Sequence, residues 1–300
     1  MLASSQLFIL PSSSHFIIYS FYHLLISSQQ YIKENPNLVT FVVEMKKFIH
    51  DFQIISNRRI NKEYFVLSLA SENQIPEIKP GQFVQVRVDN APNTFLRRPI
   101  SVYDVDYERN ILYLLIQIVG EGTMILSRLK SREILNLVYP LGNSFSLPDG
   151  EKALLIGGGV GVAPLLLLGR WLKEQNKEPV FLFGFRNSGL LVDIDLFNRF
   201  GKVYIATDDG STGEKGVVTQ HSFLRNVSGD IGMVYTCGPE VMMKAVALWA
   251  ENNEIHCEAS LETYMACGIG ACLCCARETV HGISHVCTDG PVFNSKKLVW

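Results

Sequence analysis

Charge is the first thing this chain lacks. Residues 1–32 contain no Asp, Glu, Lys or Arg. A secretory signal peptide carries positive charge ahead of its apolar core, so the opening segment does not read as one. Nor does it hold a clean spanning run. A helix that crosses a bilayer needs about 20 mostly apolar residues. Residues 7–26 reach that length only by taking in Pro11, Ser12, Ser13, Ser14, His15 and His23. By contrast, Met45-Lys46-Lys47-Phe48 begins charged, amphipathic, globular-looking sequence. The expectation is that Met45 is the native start and that residues 1–44 are translated upstream DNA or a disordered extension. A weak membrane anchor is the second reading. Over the whole chain no charge sign dominates: the net charge is -2, which gives no electrostatic reason to expect a nucleic-acid partner. An even disulfide framework is missing as well. Seven cysteines, an odd number, suit a reducing cytoplasm better. No internal repeat and no convincing acid–base pair stand out.

What is present is concentrated near the end. Cys267, Cys272, Cys275 and Cys287 follow the spacing C-x4-C-x2-C-x11-C. The first three match the plant-type [2Fe–2S] ligand run. Gly268 and Gly270 lie between them and let the backbone curl around an inorganic core. Structural zinc is the competing reading, but zinc modules usually pair two close arms across a longer gap, whereas here three candidates crowd one loop. Cys274 complicates the choice, since C-x4-C-x-C is also conceivable; the x2 spacing favours Cys275 and leaves Cys274 a bystander. Cys257 has no partner pattern and reads as a small buried residue.

Three hundred residues allow two or three domains, and 47% hydrophobic content suffices for ordinary cores. Residues 64–69, 83–88 and 111–116 are short β runs separated by turn signals such as Lys79-Pro80-Gly81-Gln82. They predict a small antiparallel barrel over residues 45–148, with a helix near residues 123–130. From residue 149 the texture changes. Residues 153–156, 180–183, 203–206 and 233–236 are apolar strands, and residues 163–175 read as a helix. Strands alternating with helices predict a parallel sheet over residues 149–256. Residues 257–300 are Gly- and Cys-rich, too short for a core of their own, and expected to be held by metal.

Three further motifs carry chemistry. Gly157-Gly158-Gly159-Val160-Gly161 joins a strand to a helix starting near Pro164, which aims free N–H groups and the positive helix end at a phosphate. Its third glycine is displaced from the usual dinucleotide fingerprint. Thr236-Cys237-Gly238-Pro239-Glu240 follows a later strand, and in an open parallel sheet both turns fall on the ligand edge. Cys237 could approach a nicotinamide there or simply pack. Arg97-Arg98-Pro99-Ile100-Ser101 offers a forked cation and a hydroxyl, although Arg98 alone reads first as a solvated charge. Gly120-Glu121-Gly122-Thr123 could turn backbone N–H groups to the same phosphates or be a plain loop with a capping Thr.

The order of barrel, R-P-I-S, G-x-G-T, G-G-G-V-G-V-A-P-L, T-C-G-P and the cysteine run resembles the ferredoxin–NADP reductase superfamily. Within it, the chain is most similar to the electron-transfer subunits of class 1B dihydroorotate dehydrogenase. Ser260-Leu261-Glu262, Thr207-Asp208-Asp209-Gly210-Ser211 and Asp289-Gly290-Pro291-Val292-Phe293 agree in detail, from about Met45 to the end. Cys274 departs from the family pattern, and residues 1–44 have no counterpart. The resemblance implies β plus α/β architecture: an FAD-binding antiparallel β-barrel, a parallel-sheet NAD-binding domain and a small C-terminal [2Fe–2S] lobe. It implies that Arg98, Pro99, Ile100, Ser101, Leu115, Ile116, Gln117, Gly122 and Thr123 hold FAD. Gly158, Gly159, Gly161, Cys237, Gly238 and Pro239 are the candidates for NAD, and Cys267, Cys272, Cys275 and Cys287 for the cluster.

It also implies a heterotetramer, two plus two, with an FMN-containing catalytic subunit that oxidises dihydroorotate in pyrimidine biosynthesis. Electrons would run from that FMN through the cluster and FAD to NAD+, in the cytoplasm, with no membrane. The inventory is coherent, because NADH exchanges electron pairs, a cluster passes single electrons, and a flavin does both. Arg186 after a sheet strand could meet a 2′-phosphate or lie on the surface, which leaves NAD against NADP open. A reductase feeding another oxidoreductase or an oxygenase is the alternative, although only 34 residues run from Cys267 to Trp300, little for a complete ferredoxin domain. A zinc-bearing binding module without redox chemistry is the alternative from a different class.

Overall fold

A computed structural model describes residues 46–225 and 231–300. The expectations for residues 1–44 lie outside the described residues. No helix among the described residues is long and apolar enough to cross a membrane.

The first region is a curled antiparallel sheet: β1 (Phe48–Arg59), β2 (Tyr64–Ala70), β3 (Phe83–Val86), β4 (Arg98–Ser101), β5 (Asp104–Asp106), β6 (Ile111–Gln117) and β7 (Ile134–Leu141). Its spatial order is β4-β3-β7-β1-β2-β6-β5, a half-barrel. Alternation closes it: Phe52 and Ile54 of β1 are fully buried while their neighbours face out. These side chains, with Leu67, Leu69, Leu112, Leu114 and Leu137, make one core. Each such burial contributes about 1.5–3 kcal/mol. Helix α1 (Glu121–Leu126) follows β6. It begins two residues before the expected 123 and stops at Leu126, because Gly120 and the Thr123 hydroxyl set its first turn.

The second region is parallel: β8 (Lys152–Gly158), β9 (Glu178–Phe185), β10 (Lys202–Thr207), β11 (Glu214–Lys215), β12 (Ile231–Cys237) and β13 (Cys257–Ser260). Helix α2 (Ala163–Glu174) covers the sheet, short helices α3 (Ile194–Asn198) and α4 (Ser222–Arg225) follow, and α5 (Glu240–Asn252) precedes β13. β8 reads as a continuous apolar run because it is buried along its length.

The third region departs from the expected boundary at residue 257. β13 extends the parallel sheet, and β16 (Val292–Asn294) adds to it antiparallel, so both ends of the lobe are woven into the nucleotide sheet. The cysteine loop and the hairpin β14 (Ala276–Thr279) with β15 (Gly282–His285) stand outside it. The lobe also has an apolar core, but a shared one. Met265, Cys275, Val286 and Cys287 pack with Phe83, Val138 and Leu141 of the half-barrel and Met243 of α5.

One side chain ties the lobe to the half-barrel. Asn143 Nδ2 donates to the carbonyls of Asp289 (2.9 Å) and Val292 (2.8 Å), and its Oδ1 accepts from Val292 N (3.0 Å). Asn143→Ala leaves these groups unpaired. The expected loss is about 1–3 kcal/mol in chemical denaturation, with the lobe's cysteines becoming accessible to a thiol reagent at lower denaturant than in the wild type.

Candidate functional site

The cysteine loop has no regular structure between β13 and β14, and its geometry comes from the elements on either side. Ala276 pairs with His285, which brings the residues just outside the hairpin's open end together. Cys275 and Cys287 are buried there with sulfurs 3.2 Å apart, and Cys287 N donates to Cys275 Sγ (3.4 Å). Cys267 Sγ accepts from the backbone of Ile269 and Cys272, each at 3.4 Å. Gly268 has φ +70°, the left-handed backbone this curl requires. Backbone hydrogen bonds at Cys274 and then Cys267 hold the exposed Cys272 thiol down at about 6. Burial, and then Cys275, pushes the Cys287 thiol up to about 12. Cys274 is exposed and takes another place: its Sγ accepts from Ala266 N (3.1 Å) and lies 3.4 Å from Cys272 Sγ, whose hydrogen bond raises its pKa.

These residues fit a binuclear iron–sulfur cluster. The donors are four thiols, and all are free. Two thiolates as close as Cys275 and Cys287 repel one another, so a cation between them favours the charged pair. Among the described residues no three His, Cys, Asp or Glu side chains converge on one ion-sized point. Cys275 and Cys287 form one close pair, while Cys267 Sγ accepts from Cys272 N in the loop, so the donors are spread as a two-iron centre needs and not gathered on one point.

The R-P-I-S strand and the G-x-G-T turn meet. A Cβ on Gly122 would lie 2.9 Å from Arg98 Nε and 3.2 Å from Thr94 Cγ2. Arg98, Pro99, Ile100 and Ser101 are all half-buried along β4. Thr123 is spent on its own turn, its Oγ1 accepting from Val119 N (2.9 Å) and Gly120 N (3.3 Å). Leu115 and Ile116 send their side chains into the core, at 2% and 1% exposure, so what they can offer a ligand is backbone. β5 pairs with β6 only at residues 111–113, which leaves the β6 edge beyond it without a strand from β5. Gln117 Nε2 donates to Glu63 Oε2 (3.0 Å). A half-buried strand, a cation and a free sheet edge suit a planar ring system carrying phosphates, as in FAD.

The glycine turn and the T-C-G-P turn are neighbours because Cys237 pairs with Gly157 in the sheet. A Cβ on Gly161 would lie 2.4 Å from Cys237 O and 2.5 Å from Gly238 N, so only glycine allows this approach. Gly158, Gly159, Gly161, Gly238 and Pro239 line a cavity of about 760 Å³. Cys237 does not. It is 1% exposed, and burial, followed by the charge of Glu262, pushes its thiol up. It is a packed residue beneath the turn.

Sequence reasoning missed several walls of this cavity. Tyr64 comes from the half-barrel, Met242 from α5, and Leu261, Glu262 and Val286 from the lobe. Enclosure by protein pushes the Glu262 carboxyl up, although it opens on the cavity. Only the Ser260-Leu261-Glu262 likeness hinted at it. Arg186 also lines the cavity, with its Nη2 on both Glu63 carboxylate oxygens at 2.9 and 2.7 Å, so a 2′-phosphate would compete with Glu63 for it.

Comparison with known proteins matches this anatomy. Residues 51–145 match an oxidoreductase FAD-binding domain, 155–248 an oxidoreductase NAD-binding domain, and 262–299 the iron-sulfur cluster binding domain of dihydroorotate dehydrogenase B. The chain is 40% identical over 252 residues, 83% of its length and 97% of the relative's, to the dihydroorotate dehydrogenase B (NAD(+)) electron transfer subunit of Caldanaerobacter subterraneus subsp. tengcongensis. It is 36% identical over 258 residues to that of Streptococcus thermophilus, covering 84% of this chain and 98% of the other. Among solved structures, an NADH-dependent reduced ferredoxin-NADP oxidoreductase superposes with TM-score 0.76 at 30% identity, covering 83% of this chain and 90% of that one. Phthalate dioxygenase reductase, at TM-score 0.57 and 19% identity over 72% and 70% of the two chains, shares the fold alone.

Gly161→Ala forces the two turns apart. NADH binding, followed by flavin fluorescence, is expected to weaken at least tenfold, about 1.4 kcal/mol, while flavin content stays at the wild-type level.

Proposed function

This chain belongs to the family of dihydroorotate dehydrogenase B (NAD(+)) electron transfer subunits, and we propose that it carries electrons from dihydroorotate, oxidised on a partner chain, to NAD+. It is an oxidoreductase subunit with FAD-binding, NAD-binding and [2Fe–2S]-binding regions. The observation that carries the reading is the cavity whose walls come from the half-barrel, both sheet turns and the cysteine lobe together. A cavity of this size suits a nicotinamide nucleotide, and its position touches every region whose cofactor must exchange electrons.

In this reading Arg98, Pro99, Ile100 and Ser101 bind FAD from β4, Arg98 as the phosphate cation. Leu115, Ile116 and Gln117 present backbone to it, and Gly122 leaves room for Arg98. Gly158, Gly159, Gly161, Gly238 and Pro239 bind NAD, with Cys237 supporting the turn from below. Cys267, Cys272, Cys275 and Cys287 ligate the cluster, and Cys274 stays outside. FAD, when bound, supplies the exchange between hydride transfer and single-electron transfer. The protein's own work is to orient the two nucleotides, to wall the cavity with Tyr64 and Met242, and to hold the four sulfurs within reach of one centre.

The regions are read as FAD-binding 45–148, NAD-binding 149–256 and cluster-bearing 257–300, the last lending β13 and β16 to the second. The family implies a catalytic partner subunit. We take that partner to contain FMN and the assembly to be a cytoplasmic heterotetramer of two plus two. Tyr264, Leu273 and Ile269, exposed at 94%, 57% and 45% beside the cysteines, offer such a partner an apolar face.

Co-expression with an FMN-containing dihydroorotate dehydrogenase subunit tests this. The complex is expected to reduce NAD+ with dihydroorotate; a complex that forms without doing so rejects the role. Cys272→Ser is expected to abolish that transfer and to leave NADH oxidation by two-electron acceptors within about twofold of wild type. Normal transfer in the variant would remove Cys272 from the ligand set.

A further inference from the structure

Gln85, in β3, is fully buried, at 0% exposure. Neither its Oε1 nor its Nε2 has a hydrogen-bond partner. A buried amide left this way costs about 1–3 kcal/mol, and such orphans are rare enough to need a reason. Nearby polar groups do not supply one. Arg97 spends its guanidinium on Gln85 O (3.2 Å), Asn136 O (3.0 Å) and Asn136 Oδ1 (2.6 Å), and Asn136 Nδ2 goes to Asp51 Oδ1 (2.6 Å).

The amide instead presses on the cysteine loop. A Cβ on Gly268 would lie 2.6 Å from Gln85 Cγ and 2.8 Å from Gln85 Nε2. Gly268 directly follows Cys267, so the contact brings the amide to the edge of the thiol set. On the flavin side, Gln85 pairs with Pro99 in the R-P-I-S strand. One residue therefore links the strand read as flavin-binding to the loop read as cluster-binding.

We propose that Gln85 is a tuning residue for the iron–sulfur cluster, its Nε2–H donating a hydrogen bond to a cluster sulfur at Cys267. The proposal rests on reading Cys267, Cys272, Cys275 and Cys287 as the ligands. An N–H aimed at sulfur stabilises the more negative, reduced cluster and raises its reduction potential. The bond also explains why a polar side chain is tolerated where every neighbouring side chain of β3 is apolar: its partner is a sulfur of the assembled cluster.

Gln85→Met keeps the length of the side chain and removes the amide. In a redox titration of the holoprotein followed by electron paramagnetic resonance, the cluster of Q85M is expected to be reduced about tenfold less readily. That corresponds to a potential lower by about 59 mV for a one-electron couple, with flavin potential and iron content unchanged. Wild-type protein labelled with 15N in its glutamine side chains is expected to show, in pulsed resonance of the reduced cluster, a nitrogen coupling absent from Q85M. This measurement decides the matter even if Q85M assembles its cluster poorly. An unchanged potential, or no such coupling in wild type, overturns the role of Gln85. Wild-type protein devoid of iron would overturn the ligand reading itself, and this proposal with it.

Discussion

Sulfur held close to sulfur is the constraint around which the C-terminal lobe is arranged. Cys275 and Cys287 are kept 3.2 Å apart by a hairpin whose own strands are only four residues long. Two thiols can share that space, whereas two thiolates need a cation. The lobe therefore has two sources of order. One is packing borrowed from Phe83, Val138 and Leu141 of the half-barrel and Met243 of α5. The other is the metal chemistry that turns four thiols into a charge-balanced centre.

The same economy of space governs the nucleotide side. The glycine turn and the T-C-G-P turn approach until a single methyl group at residue 161 would strike Cys237 O at 2.4 Å. That closeness opens a cavity at the carboxyl ends of β8 and β12, the position a parallel sheet reserves for ligands. The half-barrel closes it with Tyr64, while Arg170 of α2 pairs with Asp104 (2.7 Å) and ties helix to barrel. Half-barrel, both sheet turns and the lobe thus all contribute side chains to one cavity.

Much of this was legible in the chain alone. The short β runs at residues 64–69 and 111–116 fell on β2 and β6 almost to the residue, because β-branched and aromatic runs between turn signals favour strands. Apolar runs at 153–156 and 180–183 marked β8 and β9, because a covered parallel strand has no polar face. Other features were hidden. The 257 boundary was blurred because β13 and β16 are short and take their pairing from a distant strand. From its motif Cys237 could approach a nicotinamide or simply pack; at 1% exposure it packs, since exposure depends on what lies above a turn.

The sequence by itself determined the kinds of chemistry: the thiol donors and their spacing, the glycines at the strand-to-helix turn, and the order of strands and helices. These are local properties, set by residue type and periodicity. Only the tertiary structure decided which groups face one another. It seated Cys275 beside Cys287 and Cys274 beside Cys272, tied Arg186 to Glu63, and set the Gln85 amide against Gly268. Those pairings join residues up to 183 positions apart, and no periodicity or motif spans such a distance. They exist because burial of four apolar core clusters among the described residues forces the segments together.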